Sequence, residues 1–217
     1  KTFSKMATKA DPKTFSKTLL KTTSLFSKNT EISLTILNLF IKFDKICSNL
    51  ISSNSLKFKS RLYILLNHQN EKIKNKDQLI WNRHNFKVDE SMLQTLFKLS
   101  TEHRYDTICK LASTALSELT EKIDLFEKLL RMITIKMAKN DKISQKKNLI
   151  WLLAANSRNA KKSEFVKQIF DFFVASMETE NLWEMALKSS LFAVKSLGFE
   201  FHSVIFPLLE RYLKDKN

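Results

Sequence analysis

Hydrophobic residues return at steps of three and four along nearly the whole chain, which is the spacing of one face of an α-helix. Asp11-Pro12 supplies an N-cap followed by proline at the first helical position, and Phe15, Leu19, Thr23 and Phe26 then share a face, predicting a helix to about Lys28. Thr30 caps a longer helix in which Ile32, Ile36, Leu39, Phe40, Phe43, Cys47, Leu50 and Ile51 recur with further apolar residues between them, so burial on two sides is expected. A polar break, Ser52-Ser53-Asn54-Ser55, leads to a helix carrying Leu56, Phe58, Leu62, Ile64, Leu65 and Leu66. The most polar stretch, Asn67 to Lys76, precedes a short apolar patch at Leu79, Ile80 and Trp81.

From Asp89 the pattern is more regular. A capped helix presents Met92, Leu93, Leu96, Phe97 and Leu99, the next Tyr105, Ile108, Cys109, Ala112, Ala115, Leu116 and Leu119, and the next Ile123, Phe126, Leu129, Leu130, Ile133 and Met137. Beyond a basic loop, Lys139 to Lys147, helices are predicted around Leu149 to Ala155, Phe165 to Met177, Leu182 to Leu197 with Gly198 just past its end, and Phe201 to Leu213. That makes about ten or eleven helices with short joints and no strand. Short joints force consecutive helices to lie antiparallel, so the expected fold is all-α, either a bundle or a stack of helix pairs.

Composition narrows the alternatives. One Gly and two Pro in 217 residues leave almost nothing suited to hairpin turns or phosphate loops, which argues against β-rich and Rossmann-like folds, and 43% hydrophobic residues support a real core. A single helical domain over 1–217 is expected, with a strongly basic part at 1–88 and a repeat part at 89–217. Cys47 and Cys109 lie inside apolar helical patterns without CxxC spacing and read as plain buried thiols. Lys42, Asp44 and Lys45 interrupt the best membrane-span candidate, Ile32 to Ile51, and no signal-peptide pattern opens the chain. An intracellular, reducing compartment is expected, and the start at Lys1 reads as a piece of a longer protein.

The C-terminal third favours a stack. Ser163 to Leu197 forms a helix pair, and the first helix of the next pair follows about 36 residues on, near the period of two-helix repeats. Val204-Ile205-Phe206-Pro207-Leu208-Leu209-Glu210-Arg211-Tyr212-Leu213-Lys214-Asp215 sets a proline amid leucines and ends near an Asp, while Ala186, Ser190, Ala193 and Ser196 are small residues among aliphatics. In these features residues 163–215 resemble HEAT repeats, although a basic residue common in that family's second helix is missing. The resemblance implies a HEAT-like α-solenoid that assembles complexes and catalyses nothing.

The formal charge of +15 is concentrated at one end: residues 1–88 hold 17 Lys+Arg against 5 Asp+Glu, a net of +12. Such an excess attracts nucleic acid or acidic protein segments. Lys1, Lys5, Lys9, Lys13, Lys17 and Lys21 recur every four residues and would form one slowly rotating stripe in a helix, although Pro12 must break or start a helix within the series. A solvated face is the plain alternative. A second cluster comprises Lys57, Lys59, Arg61, Lys72, Lys74, Lys76, Arg83 and Lys87, with Trp81 and His84 interleaved, a combination that suits phosphate contact and base stacking on single strands. Trp81 also reads simply as core. Smaller basic patches lie at Lys139, Lys142, Lys146 and Lys147 and at Arg158, Lys161 and Lys162.

No catalytic constellation is visible. His68, His84, His103 and His202 are scattered without metal-ligand spacing, and neither a GxSxG elbow nor a nucleotide fingerprint is present. Phe165, Phe170, Phe172, Phe173 and Trp183 read as packing between paired helices, with a ligand pocket as the lesser alternative. The expectation is a scaffold without cofactor or metal, holding nucleic acid, RNA before DNA, within a nuclear or nucleolar complex. The alternative is a protein-interaction module whose basic surface meets an acidic partner or whose groove holds a helix.

Replacing Lys5, Lys9, Lys13, Lys17 and Lys21 together by Gln is expected to weaken nucleic-acid binding and flatten its salt dependence by several units, each lost phosphate contact removing about 0.7 to 0.9 from the log–log slope. Thermal stability should hold level, because Gln and Lys have similar helix propensity. Binding titrations across a salt series check both points.

Overall fold

A computed structural model describes residues 29–44, 55–197, 206, 207 and 210. The fold is all-α: the described residues contain nine α-helices and one 3-10 turn, and no strand. The helices are α1 (Thr30–Lys42), α2 (Ser55–Leu66), α3 (Glu71–Arg83), α4 (Met92–Glu102), α5 (Asp106–Lys122), α6 (Phe126–Lys139), α7 (Ile143–Asn156), α8 (Ser163–Met177) and α9 (Trp183–Leu197), with the 3-10 turn at Ser157–Asn159. The chain divides into two compact units, Lys1–Leu96 and Phe97–Asn217. The predicted helix before Lys28 lies outside the described residues, as do Gly198 and most of Phe201 to Leu213, of which Phe206, Pro207 and Glu210 are helical.

In the N-terminal unit α3 packs against both α1 and α2. Leu37 and Phe40 of α1, Phe58, Leu62 and Leu65 of α2, and Ile73 and Ile80 of α3 are almost wholly withdrawn from solvent, and the Phe40 and Phe58 rings lie 4.7 Å apart. Each such side chain contributes roughly 1.5 to 3 kcal/mol through burial. One expectation is corrected here. Asn29, not Thr30, caps α1, its side-chain oxygen accepting from the Glu31 N–H at 2.7 Å. Of the helix expected to run on to Ile51, α1 covers the part to Lys42; Phe43 takes φ −109° and ψ 24° while its N–H still bonds the Leu39 carbonyl, Asp44 is helical, and residues 45–51 lie outside the described residues.

The polar stretch from Asn67 is mostly helix. Asn70 Oδ1 accepts from the Lys72 and Ile73 N–H groups at 3.0 and 3.3 Å, Glu71 complements the helix dipole, and only the face of Ile73, Asp77, Ile80 and Trp81 turns inward. A one-stripe helix with a carboxylate in its stripe carries a weak apolar signal.

In the C-terminal unit α7 packs most extensively against α5 and α9, and α8 packs against α9. Leu149, Ile150, Leu152, Leu153 and Ala154 are all fully buried, so α7 is apolar around much of its circumference. It starts at Ile143, and Lys146 and Lys147 therefore stand on a helix and not in the basic loop expected there. Asn140 closes the shorter joint, accepting from the Lys142 N–H and donating to Gln145 Oε1.

Buried polar groups tie the 3-10 turn to α5. Asn159 Nδ2 donates to the Ser117 carbonyl and to Thr120 Oγ1, each at 2.8 Å, and Thr120 donates towards Asn156 Oδ1 at 3.1 Å. Asn156 also donates to the Leu152 carbonyl at 2.8 Å. Outside this set, Arg158 pairs with Glu118 and Glu121 on the surface. Asn159→Ala should lower unfolding free energy by about 1 to 3 kcal/mol, since it strands buried acceptors, while Arg158→Ala should cost less than about 1 kcal/mol. Urea melts of the two variants check the ranking.

Candidate nucleic-acid interface

The basic residues singled out in the sequence have different fates. Lys5, Lys9, Lys13, Lys17 and Lys21 lie outside the described residues. Lys59 turns inward from α2, and its ammonium donates to Asp89, whose carboxyl is held below its usual range first by Lys59 and then by Ser91. Arg61 is half-buried, and desolvation lowers its guanidinium pKa from the ordinary value. Lys74 pairs with Glu71 at 3.2 Å, and Arg83 with Asp44 at 3.5 Å. Asp44 also receives His84 Nε2 at 2.8 Å.

Lys57 and Lys72 are exposed and Lys76 half-buried, none of the three with an ion-pair partner. Lys72 and Lys76 stand one turn apart on α3, and Lys57 stands on α2, which packs against it. Lys87, after α3, is likewise exposed and unpaired. These four ammonium groups have no ion-pair partner among the described residues.

At the C-terminal end of α3 lies an open cleft of about 660 Å³ lined by Gln78, Trp81, Asn82, Asn85, Phe86 and Lys87. Its shape is set by the chain reversal after α3. Asn85 adopts φ 48°, a left-handed conformation that Asn tolerates better than most residues, and the Phe86 N–H then donates to the Trp81 carbonyl at 3.2 Å. Phe86 is thereby folded back edge-on to Trp81, at 5.5 Å between centroids, with His84 stacked on it at 5.5 Å and Phe58 at 6.2 Å. Trp81 is itself buried against Tyr63, as its place in the Leu79-Ile80-Trp81 patch suggested. On the exposed side Gln78 Nε2 donates to Asn82 Oδ1 at 2.7 Å. The amides of Gln78, Asn82 and Asn85 were missed in the sequence because scattered amides carry no motif. The signals available were the i, i+4 spacing of the first two and the need for a left-handed residue in a chain almost without glycine.

The remaining candidates resolve into structure. His68 Nδ1 and His103 Nδ1 accept backbone N–H groups from Asn70 and Tyr105, and both histidines serve turns. Burial raises the Cys109 thiol pKa, while its Sγ donates to the His103 carbonyl; Cys47 and His202 lie outside the described residues. Phe170 and Phe173 pack edge-on at 5.8 Å and Phe165 against Phe126 at 5.8 Å, a packing arrangement, although Trp183 is half exposed. Among the described residues no three His, Cys, Asp or Glu side chains form a group able to hold a metal, and no helix is long and apolar enough to cross a membrane. Compared with family models, curated proteins and solved structures, the chain matches none.

Asp77 stands apart from all of these. It is fully buried on the inner face of α3, and neither carboxylate oxygen has a hydrogen-bond partner. Desolvation raises its pKa well above the ordinary 3.8, so the folded chain holds this proton more tightly than the unfolded chain does. The resulting stabilisation is full below the unfolded value and is lost as pH rises through the folded value. Asp77→Asn should therefore flatten the fall in stability above about pH 4 and raise the urea midpoint at neutral pH. Melts of both proteins over a pH series provide the check; parallel curves would mean that Asp77 stays ionised in the fold.

Proposed function

We propose that this chain is a non-enzymatic scaffold that binds single-stranded nucleic acid, RNA before DNA, through the basic surface of its N-terminal unit, as part of a larger nuclear or nucleolar complex. The observation that carries this reading is the set of unpaired ammonium groups, Lys57, Lys72, Lys76 and Lys87, on a segment holding 17 Lys+Arg against 5 Asp+Glu. Cations left without intramolecular partners repel one another, and a phosphate backbone reverses that cost. Trp81 and Phe86, which line a cleft together with Lys87, add a means of contacting bases. The C-terminal unit is read as a HEAT-like stack, a reading supported by α7 lying packed against the helices two before and two after it.

A second reading, a protein-interaction module, draws on α9, where Trp183, Leu187 and Leu191 stand at successive turns and remain exposed at 50%, 37% and 53%. An amphipathic helix of a partner subunit would fit such a stripe.

Salt decides between them. Binding of a single-stranded RNA should weaken linearly on log–log axes, and the triple variant Lys57, Lys72 and Lys76→Gln should reduce that slope by roughly 2 units, at about 0.7 per contact. An unmodified protein that binds no strand at low salt removes the nucleic-acid reading and leaves the protein-interaction one.

A further inference from the structure

We infer that the cleft at the C-terminal end of α3 is a nucleobase site, which takes one base of a single strand held electrostatically by the basic N-terminal unit; this inference rests on the function proposed above. Its residues supply the three things a base requires. Trp81 and Phe86 form an apolar wall, fixed by the Phe86 N–H bond to the Trp81 carbonyl and by the left-handed Asn85, so that little ordering is needed on binding. Gln78 and Asn82 satisfy only one another: with Gln78 Nε2 donating to Asn82 Oδ1, the Gln78 carbonyl oxygen and the Asn82 amide hydrogens stay unused, an acceptor beside a donor. Reversing that bond leaves the same pair in the opposite order. The Watson–Crick edge of every base offers a donor next to an acceptor, and it is open to recognition only when unpaired, which selects a single strand.

Charge points the same way. None of the six lining residues is acidic, and Lys87 holds an unpaired ammonium at the cleft, suited to the phosphate attached to the bound base. A volume of about 660 Å³ lies within the range of ligand sites and is large enough for one nucleotide. Three amides, two rings and one cation around an open cleft are a poor match for a lipid or an aliphatic ligand, which would leave the amides dry and unsatisfied.

The test compares an RNA oligonucleotide with an abasic strand of equal length, by anisotropy at low salt. The unmodified protein should prefer the base-bearing strand by about tenfold, the scale of one stacked base. Gln78→Ala with Asn82→Ala, which leaves both rings in place, should reduce that preference and leave the abasic affinity unchanged, while Lys57, Lys72 and Lys76→Gln should weaken both strands equally. Gln78 and Asn82 are exposed, so both variants should melt with the unmodified protein. Asn82→Asp, which keeps the shape but replaces the donor by a negative charge, should reduce base-bearing affinity further. Equal binding of the two strands, or a preference untouched by the amide variants, overturns the base site and leaves the electrostatic reading standing. Failure of both strands to bind removes the two together.

Discussion

A chain with one glycine must make its turns with side chains, and that constraint organises nearly every described joint. Asn29 and Asn70 cap helices, Asn140 holds the α6–α7 joint, and Asp89 accepts from the Ser91 N–H ahead of α4. Where the backbone must turn left-handed, Asn85 and Asp124 do so, at a cost on the order of 1 kcal/mol that glycine would avoid. In exchange the joints are tied at defined points. Asn159, bonded to both Ser117 and Thr120, fixes the turn after α7 against α5. Asp89 does double service, because the ammonium it receives from Lys59 joins α2 to the joint ahead of α4.

Each unit is arranged around one central helix, and the two central helices solve burial in opposite ways. α7 is surrounded and apolar on several sides, contributing Leu149, Ile150, Leu152 and Leu153 to the core. α3 is among the most polar helices of the chain, yet it docks against α1 and α2 with a narrow stripe ending at Trp81. Its wide outer face is what remains for charged and amide side chains. The helix that completes the N-terminal core is for this reason also the one that carries Lys72, Lys76, Gln78 and Asn82.

Much of this was legible in the chain. Heptad-like spacing located α5, α8 and α9 closely because each buries a broad stripe of Leu, Ile, Phe or Ala that no loop would carry. The start of α7 and most of α3 were obscured, the one by Lys146-Lys147 in its first turns and the other by Asp77 inside its stripe, since periodicity reads a charge as exposure. Lys59 shows the limit of a charge count: whether a lysine faces a phosphate or a carboxylate depends on Asp89, thirty residues away. The cleft lay further still from what spacing reveals, because it arises from the reversal at Asn85.

The distribution of tryptophan has a practical consequence. Trp81 is the single indole within residues 1–96 and is buried, whereas Trp151 and Trp183 both belong to residues 97–217, the latter half exposed. The molecule therefore carries a separate intrinsic fluorophore for each compact unit. With Trp151 and Trp183 changed to Phe, emission reports the N-terminal unit alone, and a red shift during denaturation marks the moment at which its core takes up water.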